Sequence, residues 1–433
     1  MKKIFTLSFL LLAAASIHAQ KITVLKGAGE GLGFLGLAIS ENGRYVCGNG
    51  RYVCGDSEAG TGFIWDMQTN TTLYDAEKYP EASLQGVSDN GVAAGYWGDD
   101  AVTFDINGTM TKLDTESGGP LTIAKHITPD GKIVVGSIYN ENYVSHGCIW
   151  TEGKKILLPE PTTEEIGFSI NGTQAISASS DGKVIVGFVV DDMGTYPVIY
   201  WTRNDDGSYT LHTPCKGKFE PEYGNNPYFV MQPTSISSNG KWISLMVQQN
   251  SADYPPTKMG RMNVETEEIE LGEVEEGGTI DASTEFECSA IANDGTTVGQ
   301  TASRMGMMGR RGVIWKAGEK GPKPLSEVYP SITELATYDS YTSVVPYITS
   351  GGRYILGFAV TEDASFDTFV VDTTAEPAGI ESATTTAQAA RTTIYGIDGK
   401  AVNTTDVKSL KKGMYIIKSG TGKDMQTKKL IVK

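Results

Sequence analysis

AISASSDGKVIVG, residues 175–187, decides how this chain is read. Apolar residues lead into Ser/Thr, an Asp-Gly turn follows, and a Val/Ile run closes on glycine. The phrase returns as AISENGRYVCG at 38–48, GVSDNGVAAGY at 86–96 and HITPDGKIVVG at 126–136. It returns again as SISSNGKWISL at 235–245, AIANDGTTVGQ at 290–300 and YITSGGRYILG at 347–357. The turn glycines Gly43, Gly91, Gly131, Gly182, Gly240, Gly295 and Gly352 stand 40 to 58 residues apart. A fixed-order unit of that size marks a propeller or a solenoid. Asn-Gly or Asp-Gly between two β-rich runs predicts a hairpin with a two-residue turn, because that turn needs positive φ.

Working outward, each hairpin supplies strands a and b. A variable loop leads to strand c: FIWDM at 63–67, VTFDI at 102–106, CIWTE at 148–152, VIYW at 198–201, RMNV at 261–264, VIWK at 313–316 and TFVVD at 368–372. Strand d follows a polar turn, as in TTLYD, MTKLD, KKILLP, YTLHT, EIELG and KPLSE. Four antiparallel strands repeated radially make a β-propeller. The seventh unit lacks strand d, and Lys21–Lys26 has that pattern ahead of the first strand a. An N-terminal strand completing the last blade hides the sheet edges that an open stack would expose. The fold class expected is therefore all-β: a seven-bladed β-propeller over residues 20–374, closed by an N-terminal strand. Blade one contains NGRYVCG twice, at 42–48 and 49–55; one copy serves as strand b and the other is expected to be extruded or to form an extra hairpin.

Residues 1–19 read as a signal peptide, with Lys2 and Lys3, an apolar stretch from Ile4 to Ala15, and a small-residue cleavage site before Gln20. The apolar run is too short to span a bilayer, and no later run reaches the length of a transmembrane segment. The net charge is −16; without the two signal lysines it is −18, with +6 on residues 379–433 and −24 on residues 20–378. So acidic a body repels nucleic acid and anionic lipid. The five cysteines (Cys47, Cys54, Cys148, Cys215, Cys288) are too few for a disulfide framework, and no essential disulfide is expected.

The phrase resembles the HAF-type extracellular repeat and, more loosely, the WD-type blade; both resemblances imply a propeller. After a Thr/Ala-rich linker at 375–390, residues 391–433 resemble the type A C-terminal sorting domain of the Bacteroidota type IX secretion system. The matching residues include Ile394-Tyr395, Asp398-Gly399, Leu410, Gly413-Met414-Tyr415 and the terminal Lys428–Lys433. That resemblance implies a small C-terminal β-sandwich, read by the type IX secretion machinery as an export signal. It also implies a secreted or outer-cell-surface destination reached through the periplasm.

No chemical motif stands out. His126, His146 and His212 are not paired at ligand spacing. Nucleophile-elbow, phosphate-loop and zincin phrases are absent. Acidic Gly turns such as Asp205-Asp206-Gly207 read as plain turns. No catalytic residue, metal or cofactor is nominated. The a–b and c–d turns are short, so the long connections gather on one face, where function concentrates on loops held by a rigid scaffold. The candidate binding residues are Trp97, Tyr139, Tyr143, Tyr196, Tyr223, Tyr228 and Tyr254, with Arg304, Met307 and Arg310 on a Met-rich basic loop. Aromatic faces beside acidic groups suit sugar rings or peptide side chains. The expected function is a binding module for an extracellular glycan or protein. The alternatives are a polysaccharide hydrolase or lyase, which needs converging carboxylates, and a scaffold in an envelope complex.

Overall fold

A computed structural model describes residues 21–25, 33–52, 61–72, 79, 81–113, 119–167, 169–191, 196–214, 228–249, 255–274, 280–302, 308–362, 366–374, 393–396, 401–402, 413–419 and 426–432. The chain divides into two units, with the break between Glu376 and Pro377. The signal peptide, the linker, Cys54 and Cys215 lie outside the described residues.

The larger unit contains seven four-stranded antiparallel sheets. Strand β1 (Lys21–Leu25) precedes blade one, which is β2 (Gly33–Ile39), β3 (Tyr45–Tyr52), β4 (Thr61–Asp66) and β5 (Thr71–Thr72). Blade two is β6 (Ser83–Val87), β7 (Ala93–Trp97), β8 (Asp100–Phe104) and β9 (Met110–Lys112). Blade three is β10 (Leu121–Ile127), β11 (Ile133–Tyr139), β12 (Ser145–Thr151) and β13 (Lys154–Leu157). Helix α1 (Thr163–Ile166) leads to blade four: β14 (Thr173–Ala178), β15 (Val184–Val189), β16 (Val198–Arg203) and β17 (Tyr209–His212). Blade five is β18 (Tyr228–Ile236), β19 (Trp242–Gln249), β20 (Lys258–Asn263) and β21 (Ile269–Leu271). Blade six is β22 (Phe286–Ile291), β23 (Thr297–Thr301), β24 (Gly312–Trp315) and β25 (Lys323–Pro324). Helices α2 (Leu325–Val328) and α3 (Thr333–Asp339) precede blade seven: β26 (Thr342–Ile348), β27 (Tyr354–Val360) and β28 (Phe366–Asp372).

The fourth strand of blade seven is β1, paired antiparallel to β28 from Lys21↔Asp372 to Leu25↔Thr368. Strand a of each blade touches strand a of the next, and β26 touches β2, so the innermost strands form a closed ring. The core lies between blades. Val135 and Ile149 of blade three pack with Ala175, Ile185, Ile199 and Trp201 of blade four. The strand c tryptophans Trp150, Trp201 and Trp315 are fully buried in this layer. Truncating such a residue to alanine costs about 3–5 kcal/mol.

The repeat phrase forms a different turn from the one expected. Among the turn residues only the glycine has positive φ, for example +64° at Gly182 and +76° at Gly131. The amide of Gly182 donates to Ser179 O at 2.9 Å, closing a four-residue turn. Ser179 Oγ donates to Asp181 Oδ1 (2.7 Å) and accepts from the Val184 amide (3.0 Å). The same bonds recur at Ser40–Asn42, Thr128–Asp130 and Ser237–Asn239. Where the phrase carries both Ser/Thr and Asx, one hydroxyl and one side-chain oxygen satisfy the turn's amides, while blade six closes the same turn with Ala292 and blade seven with Gly351.

The closing glycine has its own cause. Strand a carries a bulge in all seven blades, between Ala175 and Ser177 in blade four and Ala124 and His126 in blade three. A bulge bends the strand and increases its twist. The strand b residue facing it is brought under a strand a carbonyl. A Cβ at Gly48, Gly95, Gly136, Gly187 or Gly299 would lie 1.9–2.1 Å from that oxygen. In blade five the residue at this place is Leu245, which pairs with Pro233.

From Tyr45 to Tyr52 the duplicated NGRYVCG is a single strand, while residues 53–55 of the second copy lie outside the described residues. β3 runs on from the first copy into Asn49–Tyr52 of the second, and both flanking strands pair with it. Alternation of small and β-prone residues lets the second copy lengthen the strand.

The smaller unit is a four-stranded antiparallel sheet of β29 (Thr393–Gly396), β30 (Ala401–Val402), β31 (Gly413–Ser419) and β32 (Gln426–Val432), in the order β30-β29-β31-β32. Tyr395 lies on β29 opposite Ile416, while Gly413 begins β31 and Tyr415 pairs with Gly396. Asp398, Gly399 and Leu410 lie outside the described residues.

Candidate functional site

The two faces of the ring differ because their connections differ. On the narrow face the a–b turns bond to one another around the ring. Asn42 N donates to Asp89 Oδ1 (2.8 Å), Asp89 N to Pro129 O (2.8 Å), and Ser180 N to Ser238 O (2.8 Å). Asn239 N donates to Asn293 Oδ1 (2.8 Å) and Asn293 N to Ser350 O (2.9 Å). Glu41 then spans the axis. Its carboxylate accepts from the Ser350 amide (2.7 Å) and from Ser238 Oγ of blade five (3.0 Å).

Behind Glu41 is a cavity of about 20 Å³, room for a single water, lined by all seven blades. His126 and Tyr347 are among the residues that line it. The matching positions in other blades hold Ala38, Gly86, Ser177, Ser235 and Ala290, so two large side chains fill what five small ones leave open. Tyr347 bonds to Glu41, and burial together with that carboxylate pushes its phenol well up. His126 Nε2 is buried without a hydrogen-bond partner, and burial pushes the imidazole down to about 4. A free histidine takes up its proton near pH 6.5. Between about pH 6.5 and 4 the unfolded chain therefore holds the proton that the folded one refuses, and stability falls as pH falls. His126→Gln should remove about 2–3 kcal/mol of that acid sensitivity, measured by urea unfolding at pH 7 and pH 4.5. Equal slopes in the two proteins would contradict the assignment.

Each innermost strand, next to the axis of the ring, has a bulged residue that is left out of the ladder with strand b. These are Leu37, Gln85, Lys125, Ile176, Thr234 and Ser289, with Val345-Pro346 in blade seven. All but Val345 are part-exposed although they lie on innermost strands. Sequence reading counted these residues as ordinary strand positions. The alternation of a regular strand hides a bulge, and no turn residue announces one.

The wide face carries the b–c and d–a connections. Tyr143, in the b–c loop of blade three, is 69% exposed and held at φ +59°. Asn140 Oδ1 accepts from the Asn142 and Val144 amides and shapes that loop. Tyr139, on the same segment, is half-buried, and its hydroxyl accepts from Gln174 Nε2 at 2.9 Å. His146 bridges Asn140 (3.3 Å) and Glu160 (2.8 Å) beside them. Tyr196 packs edge-on against Phe188, with centroids 5.2 Å apart. Trp97 is not on a long connection: it pairs with Asp100 across a two-residue turn and stands edge-on to Tyr79 at 5.5 Å. Arg310 donates to Glu287 at 2.6 Å. The structure thus brings Tyr139 and Tyr143 together and leaves Trp97, Tyr196 and Arg310 on separate blades. Tyr228 begins β18; Tyr223, Tyr254, Arg304 and Met307 lie outside the described residues.

Two clefts open beside the d–a segment of blade six. One, of about 320 Å³, is lined by Ser283, Thr284, Glu285, Thr301 and Arg311; the other, of about 230 Å³, by Lys258, Glu273 and Phe286. Thr284 borders both. Beyond Arg311, Asp339 is pushed up by burial and accepts from Ser326 and Ser343. Among the described residues no group of three or more His, Cys, Asp or Glu converges as metal ligands do. Burial raises the thiols of Cys47, Cys148 and Cys288, the last to about 12. Thiols held in that state are unreactive.

Comparison with known proteins identifies a family for the C-terminal segment. Residues 378–433 match the secretion system C-terminal sorting domain family. No curated protein matches the sequence. Among solved structures, the β-propeller domain of the Trilobed protease from Pyrococcus furiosus is similar at 11% identity and TM-score 0.49, over 79% of this chain and 96% of that one. An oligogalacturonate lyase in complex with manganese is similar at 9% identity and TM-score 0.49, over 82% and 96%. A putative TolB from Agrobacterium tumefaciens is similar at 13% identity and TM-score 0.40, over 61% and 87%. Such distant likenesses add nothing beyond the architecture already evident from the sheet order. No helix among the described residues is long and apolar enough to cross a membrane. Behind its seven-bladed propeller the chain carries a C-terminal sorting domain of the type IX secretion system, which marks it for export to the cell surface or the medium.

Proposed function

We propose that the propeller is an extracellular binding module whose wide face holds a glycan or protein ligand. The observation that carries this reading is the inequality of the two faces. The narrow face uses its turn amides and Glu41 on its own neighbours. The wide face presents Tyr143 to solvent at a left-handed backbone position and opens the clefts around Thr284. Exposed aromatic side chains and unequal loops on a rigid ring favour recognition. Residues 20–374 form the binding unit, 375–390 the linker and 391–433 the export tag.

The test is a glycan-array and peptide-library screen of the full chain beside a Tyr143→Ala, Tyr228→Ala, Tyr254→Ala variant. Specific binding reduced at least tenfold in the variant, a loss of about 1.4 kcal/mol or more, is the expected result. Binding that the variant retains in full would move the recognition surface elsewhere.

A further inference from the structure

Lys125 is the single charged residue among the bulge positions of the seven innermost strands. It is part-exposed on the innermost strand of blade three, at the residue that the bulge leaves out of the ladder. Its matching residues are apolar (Leu37, Ile176) or neutral and polar (Gln85, Thr234, Ser289). No described hydrogen-bond or ion-pair partner reaches its ammonium. Glu287, on an innermost strand, and Glu41, beside one, are otherwise engaged. Glu287, two residues before the bulge of blade six, is held by Arg310 (2.6 Å) and Gln300 Nε2 (3.0 Å). Glu41 is held at the closed end by Ser350 and Ser238. Desolvation, with no opposing charge, lowers the lysine's pKa. A part-buried cation without a counter-charge is costly, and here it stands in a strongly acidic protein.

We infer that Lys125 is the anchor of an anion site in the axial channel, and that its ligand is a small hydroxylated organic carboxylate. The acid group would supply the missing counter-charge as a charge-assisted hydrogen bond. Hydroxyls suit the rest of the ring. Gln85 commits its amide nitrogen to Ser83 Oγ (2.7 Å) and keeps its carbonyl oxygen as an acceptor. Leu37 and Ile176 offer apolar contact to a carbon chain. Access is from the wide face, because Glu41 and the turn ring close the other end. This site goes beyond the wide-face reading and stands independently of it.

The experiment is isothermal titration of the full chain with D-gluconate, with its neutral twin D-glucitol as control, on wild type and Lys125→Met. Expected are saturable gluconate binding to wild type, at least tenfold weaker binding to Lys125→Met, and none of glucitol to either. The melting temperature of Lys125→Met, equal to or above wild type, verifies that the variant folds, since removing an unpaired buried charge does not destabilise. Equal gluconate affinity in both proteins, or equal binding of glucitol, would overturn the site. So would no gluconate binding at concentrations up to about 10 mM, a free energy weaker than about 3 kcal/mol. The Tyr143, Tyr228 and Tyr254 variant separates the two ideas. If it loses its array ligand while Lys125→Met and wild type are alike toward gluconate, the channel site fails and the wide-face reading stands. The reverse pattern leaves the channel site and removes the other.

Discussion

Replacing Gly187 with alanine should destabilise the propeller by about 3 kcal/mol or more and lower its melting temperature by roughly 5–10 °C. The new methyl would sit 2.0 Å from the Gln174 carbonyl oxygen and 2.8 Å from the Trp201 ring. Neither can retreat cheaply. The carbonyl belongs to the strand a ladder beside the bulge, and Trp201 is fully buried with its Nε1 donating to Pro159 O at 2.7 Å. Relief would need the bulge to unwind, which would move Ile176 and the neighbouring blade contacts with it. The control is Gly351→Ala, where nothing lies within 4 Å and φ is not in the left-handed region. That change should stay within about 0.5 kcal/mol. Calorimetric melting of the two variants decides the matter, and similar melting temperatures would refute the bulge explanation of the repeat's last glycine.

Deleting residues 21–25 should have the largest effect of all. Leu25 is buried to 1% exposure, and Ile22 and Val24 pack on the core cluster of blades six and seven. Without β1, the outer edge of β28 from Thr368 to Asp372 loses its partner. An unpaired edge of five residues invites pairing with another chain. The expected outcome is loss of the single cooperative melt, with dimers or larger species by light scattering after size exclusion. A milder variant, Leu25→Ala, should fold and lose about 2–4 kcal/mol. A monomeric deletion protein melting as the full chain does would mean that closure contributes little.

Much of the architecture was legible because the physics that writes it is local. The groups that shape each turn interact within about six residues of one another, and five of the seven turns carry hydroxyl, Asx and glycine together, so the phrase recurs visibly along the chain. The count of seven blades and the role of Lys21–Leu25 followed from strand bookkeeping along the chain. The turn type did not follow. Asn-Gly and Asp-Gly fit a two-residue hairpin as well as the longer turn, and in blade four the Ser179 hydroxyl three residues before the glycine supports the latter. The duplicated NGRYVCG was misread for a similar reason. Both copies have strand character, and only pairing on both sides with β2 and β4 shows that one strand takes in parts of each.

The candidate site was legible only in outline. Connection order dictates that the a–b and c–d turns emerge on one face and the b–c and d–a connections on the other. Loop lengths misplaced Trp97, whose neighbours Gly98 and Asp99 form a tight turn, not a long loop. Lys125, His126, Tyr347 and Glu41 come from blades three, seven and one, and no spacing along the chain joins them. By itself the sequence determined the repeat, the ring closure and the export tag, since each is carried by residues close together or by pattern alone. Only the tertiary structure decided which residues face the axis, which end of the channel is shut, and why one lysine there lacks a counter-charge. Those are properties of seven strands meeting at one axis, and they exist only once the ring has closed.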